Sequence, residues 1–495
     1  MRFFFLQTVG NVLYLQSIMH LIDFIIFFLF TGGIVLFGCS FFKKKISSEE
    51  FVSGGRNLPG WVVGMSIFST YVSSISYLGY PGMAYAGNWN AFVFSLSIPV
   101  AALFAVMYFV PFYRNMGCVS AYSYLEERFG LWARLYASAC YLLTQMARIG
   151  TILFLMALPM NILLGWDLQL VIVLSSVAII MYSMFGGIKA VIWTEALQGI
   201  VLIGGTIVCM LVLLFQTPGG PSNVVETALA DGKFSLGSFS LELGTSTFWV
   251  CFVYGIFTNL QNYGIDQSYV QRYHAAKSEK QAKFSAMFSA FLFIPVSAFF
   301  FMIGTSLYVF YKMQPDLLPA SIVKADDVFP YFIVHQLPVG LTGLLIASIF
   351  ASGMSTVATS ISSSSTIILT DYYVRVRSLA SEKERIHVLK ISGVIVGLIG
   401  IVVAILLSHV DGILDAWWKL SSVFSGGMLG LFLLAFVSKK VGNMAAALAV
   451  ICGVAIIGFI SIGTVLHGYL AIVFGTVVIF CSGFLFTMIL DRRRK

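Results

Sequence analysis

Between Gly60 and Ala86 an apolar stretch long enough to cross a bilayer carries Ser69, Thr70, Ser73, Ser74 and Ser76 at its centre. At that depth lipid offers hydroxyls nothing to bond. A segment of this kind either faces protein, with its hydroxyls folded back onto carbonyls one turn earlier, or is interrupted. An interruption frees backbone carbonyls near the bilayer midplane, where they can hold a small cation.

The stretch is one of many. Apolar runs of about 20 residues recur along all 495 residues, of which 59% are hydrophobic and only 10% charged. This excludes a soluble globular domain and a disordered chain and marks an all-α polytopic membrane protein. Thirteen spans are expected, at 21–42, 60–86, 89–113, 131–163, 168–184, 191–216, 247–271, 284–311, 338–373, 386–408, 413–437, 442–465 and 468–490. The formal charge of +8 invites a nucleic-acid partner, but the basic residues sit in short loops between spans. With the N-terminus outside and the C-terminus inside, 23 of the 29 Lys and Arg fall on the inner side, as a plasma-membrane protein requires. Lipid is then the surrounding partner and nucleic acid is not one. A monomer is expected.

Residues 1–18 look like a mis-called start or a disordered extension before a first residue at Met19. The outer segments 217–246 and 312–337 read as loops with short helices that gate entry, without chemistry of their own. The seven cysteines form no CxxC pair and mostly lie in apolar spans, as small core residues. The six histidines are scattered at span ends, and no HExxH or GxSxG constellation supports an enzyme.

Polar residues at depth carry the functional reading. In the 247–271 span, Asn259, Gln261, Asn262 and Gly264 suggest a second break, or else a kinked helix whose amides bridge its neighbours. Two breaks at matching positions of two halves point to an inverted-repeat transporter with its site at the repeat interface. In the 338–373 span, Ser352, Ser355, Thr356, Thr359 and Ser363 share one helix face. Facing freed carbonyls, the hydroxyls of Ser355 and Thr356 can complete an oxygen shell for sodium; equally, small residues can form a tight helix seam. Arg148 lies mid-span, at a cost of roughly 2.5–3.5 kcal/mol. It either grips a carboxylate-bearing substrate with its planar fork or pairs internally with Glu195 or Asp266. Glu195 itself suits a second cation site or a capped helix start.

Gly55-Arg56-Asn57-Leu58-Pro59-Gly60-Trp61, the run from Gly186 to Gly199, Asp266-Gln267 with Val270-Gln271-Arg272, and the run from Ser355 to Tyr372 resemble the sodium:solute symporters, in order and over nearly the whole chain. The resemblance implies a leucine-transporter-like 5+5 inverted repeat with about 13 transmembrane helices and sodium-driven uptake by alternating access. Its units would be 19–58 (first span and inner loop), 59–216 (first repeat), 217–246 (outer loop), 247–437 (second repeat) and 438–495 (last two spans and basic tail). It implies a main Na+ site from backbone oxygens of Ser69, Val72 and Ser352 and hydroxyls of Ser355 and Thr356. Within the family the chain looks most like the bacterial sialic acid symporters, through the residues around Arg148. That branch implies a substrate site at Arg148, Ser73, Ser76 and Asn259, with Tyr71 where Thr is expected and Ser95 where Gln is expected. A second sodium site would map to Glu195, Ser355 and Thr359, but Ala358 lacks a hydroxyl and Glu195 stands for an expected Asp.

The function expected is import of N-acetylneuraminate with sodium. The alternatives are another organic anion or a proline-like solute on the same fold, and an intramembrane enzyme or transport-derived sensor from a different class.

Overall fold

The computed structural model describes residues 20–43, 46–320, 322–408, 427–463 and 465–494. The expectation for residues 1–18 and most of the expected span 413–437 lie outside them; of the latter, a helix over Gly427–Val437 is described. The described residues form helices and loops, with one isolated bridge between Leu58 and Ala276.

The helices begin with α1 (Leu21–Ser40), α2 (Ser48–Ser53, short), α3 (Gly60–Tyr71), α4 (Ser74–Ala86) and α5 (Trp89–Met116, which includes a π turn). They continue with α6 (Leu131–Leu164), α7 (Leu168–Gln216), α8 (Phe248–Ile265), α9 (Gln267–Ala275) and α10 (Glu279–Met313). Last come α11 (Leu341–Ile367), α12 (Glu382–Leu407), α13 (Asn443–Gly463) and α14 (Leu470–Arg494). Nine helices among the described residues are long and apolar enough to cross a membrane, and the α3–α4 pair makes a tenth. The count rises further because α7 joins the segments read as 168–184 and 191–216. Its 49 residues would span about 74 Å if straight, more than twice a hydrocarbon core. It breaks at Gly187, whose φ of 61° suits glycine. A Cβ there would also lie 2.8 Å from the Phe51 carbonyl oxygen of α2.

Side-chain caps set several starts. Ser381 and Glu384 form a reciprocal capping box before α12, and Thr247 and Ser278 accept from the first turns of α8 and α10. The start of α11 is capped from another helix. The Asp23 carboxylate of α1 accepts from Gly340 N and Gly343 N, both at 2.8 Å. Almost all of α11 is buried, packed by α1, α3, α6, α7 and α12. Its run of Ser, Ala, Gly and Thr lets these helices approach closely.

The serine-rich span is interrupted. Val72 (φ −80°, ψ 106°) and Ser73 (φ −103°, ψ 173°) are extended between α3 and α4, and the axis bends by 55°. In the 247–271 span the amides follow the second alternative and bridge neighbours, rather than breaking the backbone. Asn259 through Gly264 stay helical, and the break comes at Asp266 (ψ 125°). The reason is local. Asn259 spends its amide on neighbouring helices, while the Asp266 carboxylate accepts from Ser268 N at 2.8 Å and so starts α9 as an N-cap.

Candidate cation and substrate site

A helix that stops in mid-membrane leaves its last carbonyls without intrahelical partners. At the end of α3 these find partners from two other helices. Ser355 Oγ of α11 donates to Ser69 O at 3.0 Å, and Arg148 Nη2 of α6 donates to Thr70 O at 3.2 Å. The break thus lies between a hydroxyl face and a guanidinium, and a cation at a helix C-terminus is electrostatically favoured.

On α11, Ser355 Oγ and Thr356 Oγ1 also reach Ser352 O, at 2.9 and 3.0 Å. Ser69 O, Ser352 O, Ser355 Oγ and Thr356 Oγ1 are therefore linked in one buried cluster, with Val72 buried and extended beside it. Ser69 Oγ turns the other way, to Glu195 O of α7 at 2.7 Å. Among the described residues no three His, Cys, Asp or Glu side chains gather. The cluster offers only neutral oxygens, a donor set that fits a hard monovalent cation such as sodium.

Glu195 is differently placed from its reading as a helix-start residue. It sits inside α7, fully buried, and pairs with Arg272 of α9, Nη2 to Oε2 at 2.6 Å. Ser66 and Thr359 hydroxyls also donate to this carboxylate. Arg272 further donates to Ser66 Oγ (2.7 Å), Thr359 Oγ1 (2.6 Å) and Ser268 O (2.6 Å). So α3, α7, α9 and α11 meet on one buried ion pair. Of the residues read as a second sodium site, Glu195 and Thr359 come together, but a guanidinium binds both of them, and Ser355 bonds toward Ser69 and Ser352 instead. Ala358 brings no oxygen. Sequence reasoning counted Arg272 among the inner-loop charges; its one signal was a basic residue soon after Asp266 in a motif with Gln271. That residue also disposes of one internal pairing for Arg148, because Glu195 is already taken. Arg148 makes no ion pair among the described residues; Asp266, which feels its charge, accepts from Ser268 through Oδ1 alone.

The remaining substrate residues divide. Tyr71 and Asn259 meet, the phenol donating to Asn259 Oδ1, and Asn259 Nδ2 donates to Ser97 Oγ at 3.1 Å. Ser95 is buried and shares a hydrogen bond with Ser297 of α10 at 2.7 Å. Ser73 and Ser76 are buried at the N-terminal end of α4, just past the break. A cavity of about 270 Å³ opens beside α4, with Tyr80, Met83, Asn88, Phe94 and Tyr254 among its walls. Tyr80 and Ser76 lie one helical turn apart, as do Ala91, also on the cavity wall, and Ser95, so the cavity sits one turn from these serines, toward the α4–α5 connection.

The sodium:solute symporter family model matches residues 51–453. The chain is 33% identical over 467 residues to the sodium/sialic acid symporter SiaT of Proteus mirabilis, covering 93% of this chain and 94% of that one. It is 30% identical to the sodium/sialic acid symporter NanT of Aliivibrio fischeri, covering 94% and 92%. It is also 30% identical to the human sodium-coupled monocarboxylate transporter 2, covering 90% and 73%. Among solved structures, a sodium-coupled sialic acid symporter in a substrate-bound outward-open state superposes with a TM-score of 0.89 at 30% identity, covering 95% and 98%. The nucleobase-cation symporter Mhp1 shares the fold, with a TM-score of 0.58 at 13% identity, covering 92% and 96%. The architecture is the leucine-transporter type, sodium is the coupling ion, and the chemistry is carriage, not catalysis. With a broken first core helix set against a hydroxyl-bearing α11, and a family match across most of its length, this chain belongs to the sodium:solute symporter family.

Proposed function

We propose that the chain imports a sialic acid, N-acetylneuraminate, together with sodium. The observation that carries this is Arg148. Its guanidinium stands at the break with a single hydrogen bond to Thr70 O among the described residues, leaving most of its N–H donors for a carboxylate. Similarity to two sialic acid symporters supports the sugar. Sodium would bind at Ser69, Val72, Ser352, Ser355 and Thr356 and tie α3 to α11. The acid would meet Arg148, with Ser73, Ser76, Tyr71, Asn259 and Ser95 around it. Each ligand must favour one state of the carrier over the other for their transport to couple. The basic residues support an inner-membrane orientation with the N-terminus outside and the C-terminus inside. A monomer is the proposed working unit. A small monocarboxylate is the second reading, since the fork of Arg148 matches any carboxylate and a monocarboxylate transporter is 30% identical. Labelled N-acetylneuraminate uptake into proteoliposomes under an inward sodium gradient, challenged with excess lactate, pyruvate or proline, tests it. Sodium-dependent sugar uptake unmoved by these competitors supports the sugar; absent sugar uptake removes it.

Ser355→Ala and Thr356→Ala are each expected to raise the sodium needed for half-maximal uptake about tenfold, the effect of losing one oxygen contact to the ion. Titration of uptake against external sodium checks this, and unchanged curves in both variants would take α11 out of the cation site.

We also propose one sodium per cycle. The second site read from the sequence would use the Glu195 carboxylate, which Arg272 already neutralises. One sodium with one carboxylate moves no net charge, whereas a second would move one, worth about 2.3 kcal/mol per 100 mV. Uptake is therefore expected to carry no current on a solid-supported membrane; a sugar-evoked current would place a second ion in the cycle.

A further inference from the structure

Lys233, in the outer segment after the helix Gly220–Ala230, is only 6% exposed. Its ammonium donates to Tyr85 O at 2.7 Å and Gly87 O at 2.9 Å, the carbonyls that close α4. It also lies 3.7 Å from the ring centroid of Tyr308 on α10. Burial pulls its pKa below the ordinary lysine value, with Asp231 opposing that shift. A buried charge is retained only where its donors are used, and here they meet the negative end of a helix dipole and an aromatic face. Lys312, in the last turn of α10, pairs with Asp231 of the same segment at the surface, where Tyr308 Oη also donates to Asp231 at 3.2 Å.

Helix α4 is a lever. Midway along it the Pro81 carbonyl presses on Gly304 of α10, where a Cβ would come within 2.1 Å of the carbonyl oxygen. One end carries the break with Ser73 and Ser76; the other end is held by Lys233. Thirteen helical residues make a rod of about 20 Å, so a shift at the held end becomes a tilt at the serines.

We propose that Lys233 is a positioning residue for transport: through it the 217–246 segment clamps the outer end of α4 to α10 and sets how far the outer path opens. The inference concerns this lever and does not rest on the identity of the solute. Its test needs no substrate. Met83 stands on α4 at the cavity beside that helix and is 42% exposed, and Cys251 lines the same cavity. In a Cys251→Ala background, Met83→Cys is labelled with a membrane-impermeant maleimide, with and without sodium. Lys233→Met is expected to speed labelling about tenfold and abolish its response to sodium, as two charge-assisted hydrogen bonds are lost. Lys233→Arg is expected to restore the response, and Lys312→Ala to stay within about twofold of the parent, as an exposed pair should. Labelling by Lys233→Met at the parent rate with the parent response, or an equal change in Lys312→Ala, would overturn the clamp.

Discussion

Arg148→Ala is expected to abolish binding of the acidic substrate while sodium binding survives. The guanidinium is half-buried in α6 and its one protein acceptor among the described residues is Thr70 O, at 3.2 Å. A charged fork held in the membrane with spare donors is unfavourable unless something else completes it. Two charge-assisted bonds to a carboxylate contribute about 3–5 kcal/mol, or roughly a 10²–10⁴-fold loss of affinity when removed. Arg148→Lys keeps the charge without the fork and should fall between the two. The sodium cluster should be spared, because Ser69 O is held by Ser355 and not by Arg148. Calorimetric titration of the purified carrier with N-acetylneuraminate, and separately with sodium, distinguishes the outcomes. Unchanged sugar affinity would remove Arg148 from the substrate site; joint loss of both ligands would make its role purely structural.

Arg272→Met should be the most destabilising substitution considered. It leaves Glu195 buried and unpaired at 0% side-chain exposure, a loss on the order of 3–5 kcal/mol. Glu195→Gln should cost a similar amount by stranding the guanidinium at 1% exposure. The double variant should recover much of the loss, since the desolvation of both charges goes with them. Thermal unfolding of the three variants in detergent closes this cycle. Losses that simply add would mean the two side chains act independently, and the pair would not then be what holds α3, α7, α9 and α11 together.

The break in the first core span is legible because five hydroxyls within eight residues, inside lipid, must either bond back along their own helix or mark an interruption, and so many together favour the interruption. The second break is misplaced to Asn259–Gly264 by a reading that takes amides at depth for backbone breakers. In the fold Asn259 is a bridging side chain, to Tyr71 and Ser97, as the kinked-helix alternative expects, and the interruption falls at Asp266. Ser95 illustrates the same limit. Its hydroxyl meets Ser297, some two hundred residues away, and no local pattern announces that pairing. Asp23, inside an apolar first span, gives no hint that it caps α11.

Hydropathy and the placing of hydroxyls along the chain determined a helical membrane protein, most of its spans among the described residues, and the face of α11 that meets the broken helix. Each of these depends on local periodicity or on transfer out of water, which a residue carries with it. What tertiary structure alone decided is which charge neutralises which. Arg272 reaches Glu195 and Arg148 does not, and Lys233 holds the end of a helix well before it in the chain. Such pairings are settled by distances across packed helices, where low dielectric makes every unpaired charge costly and order along the chain says nothing about proximity.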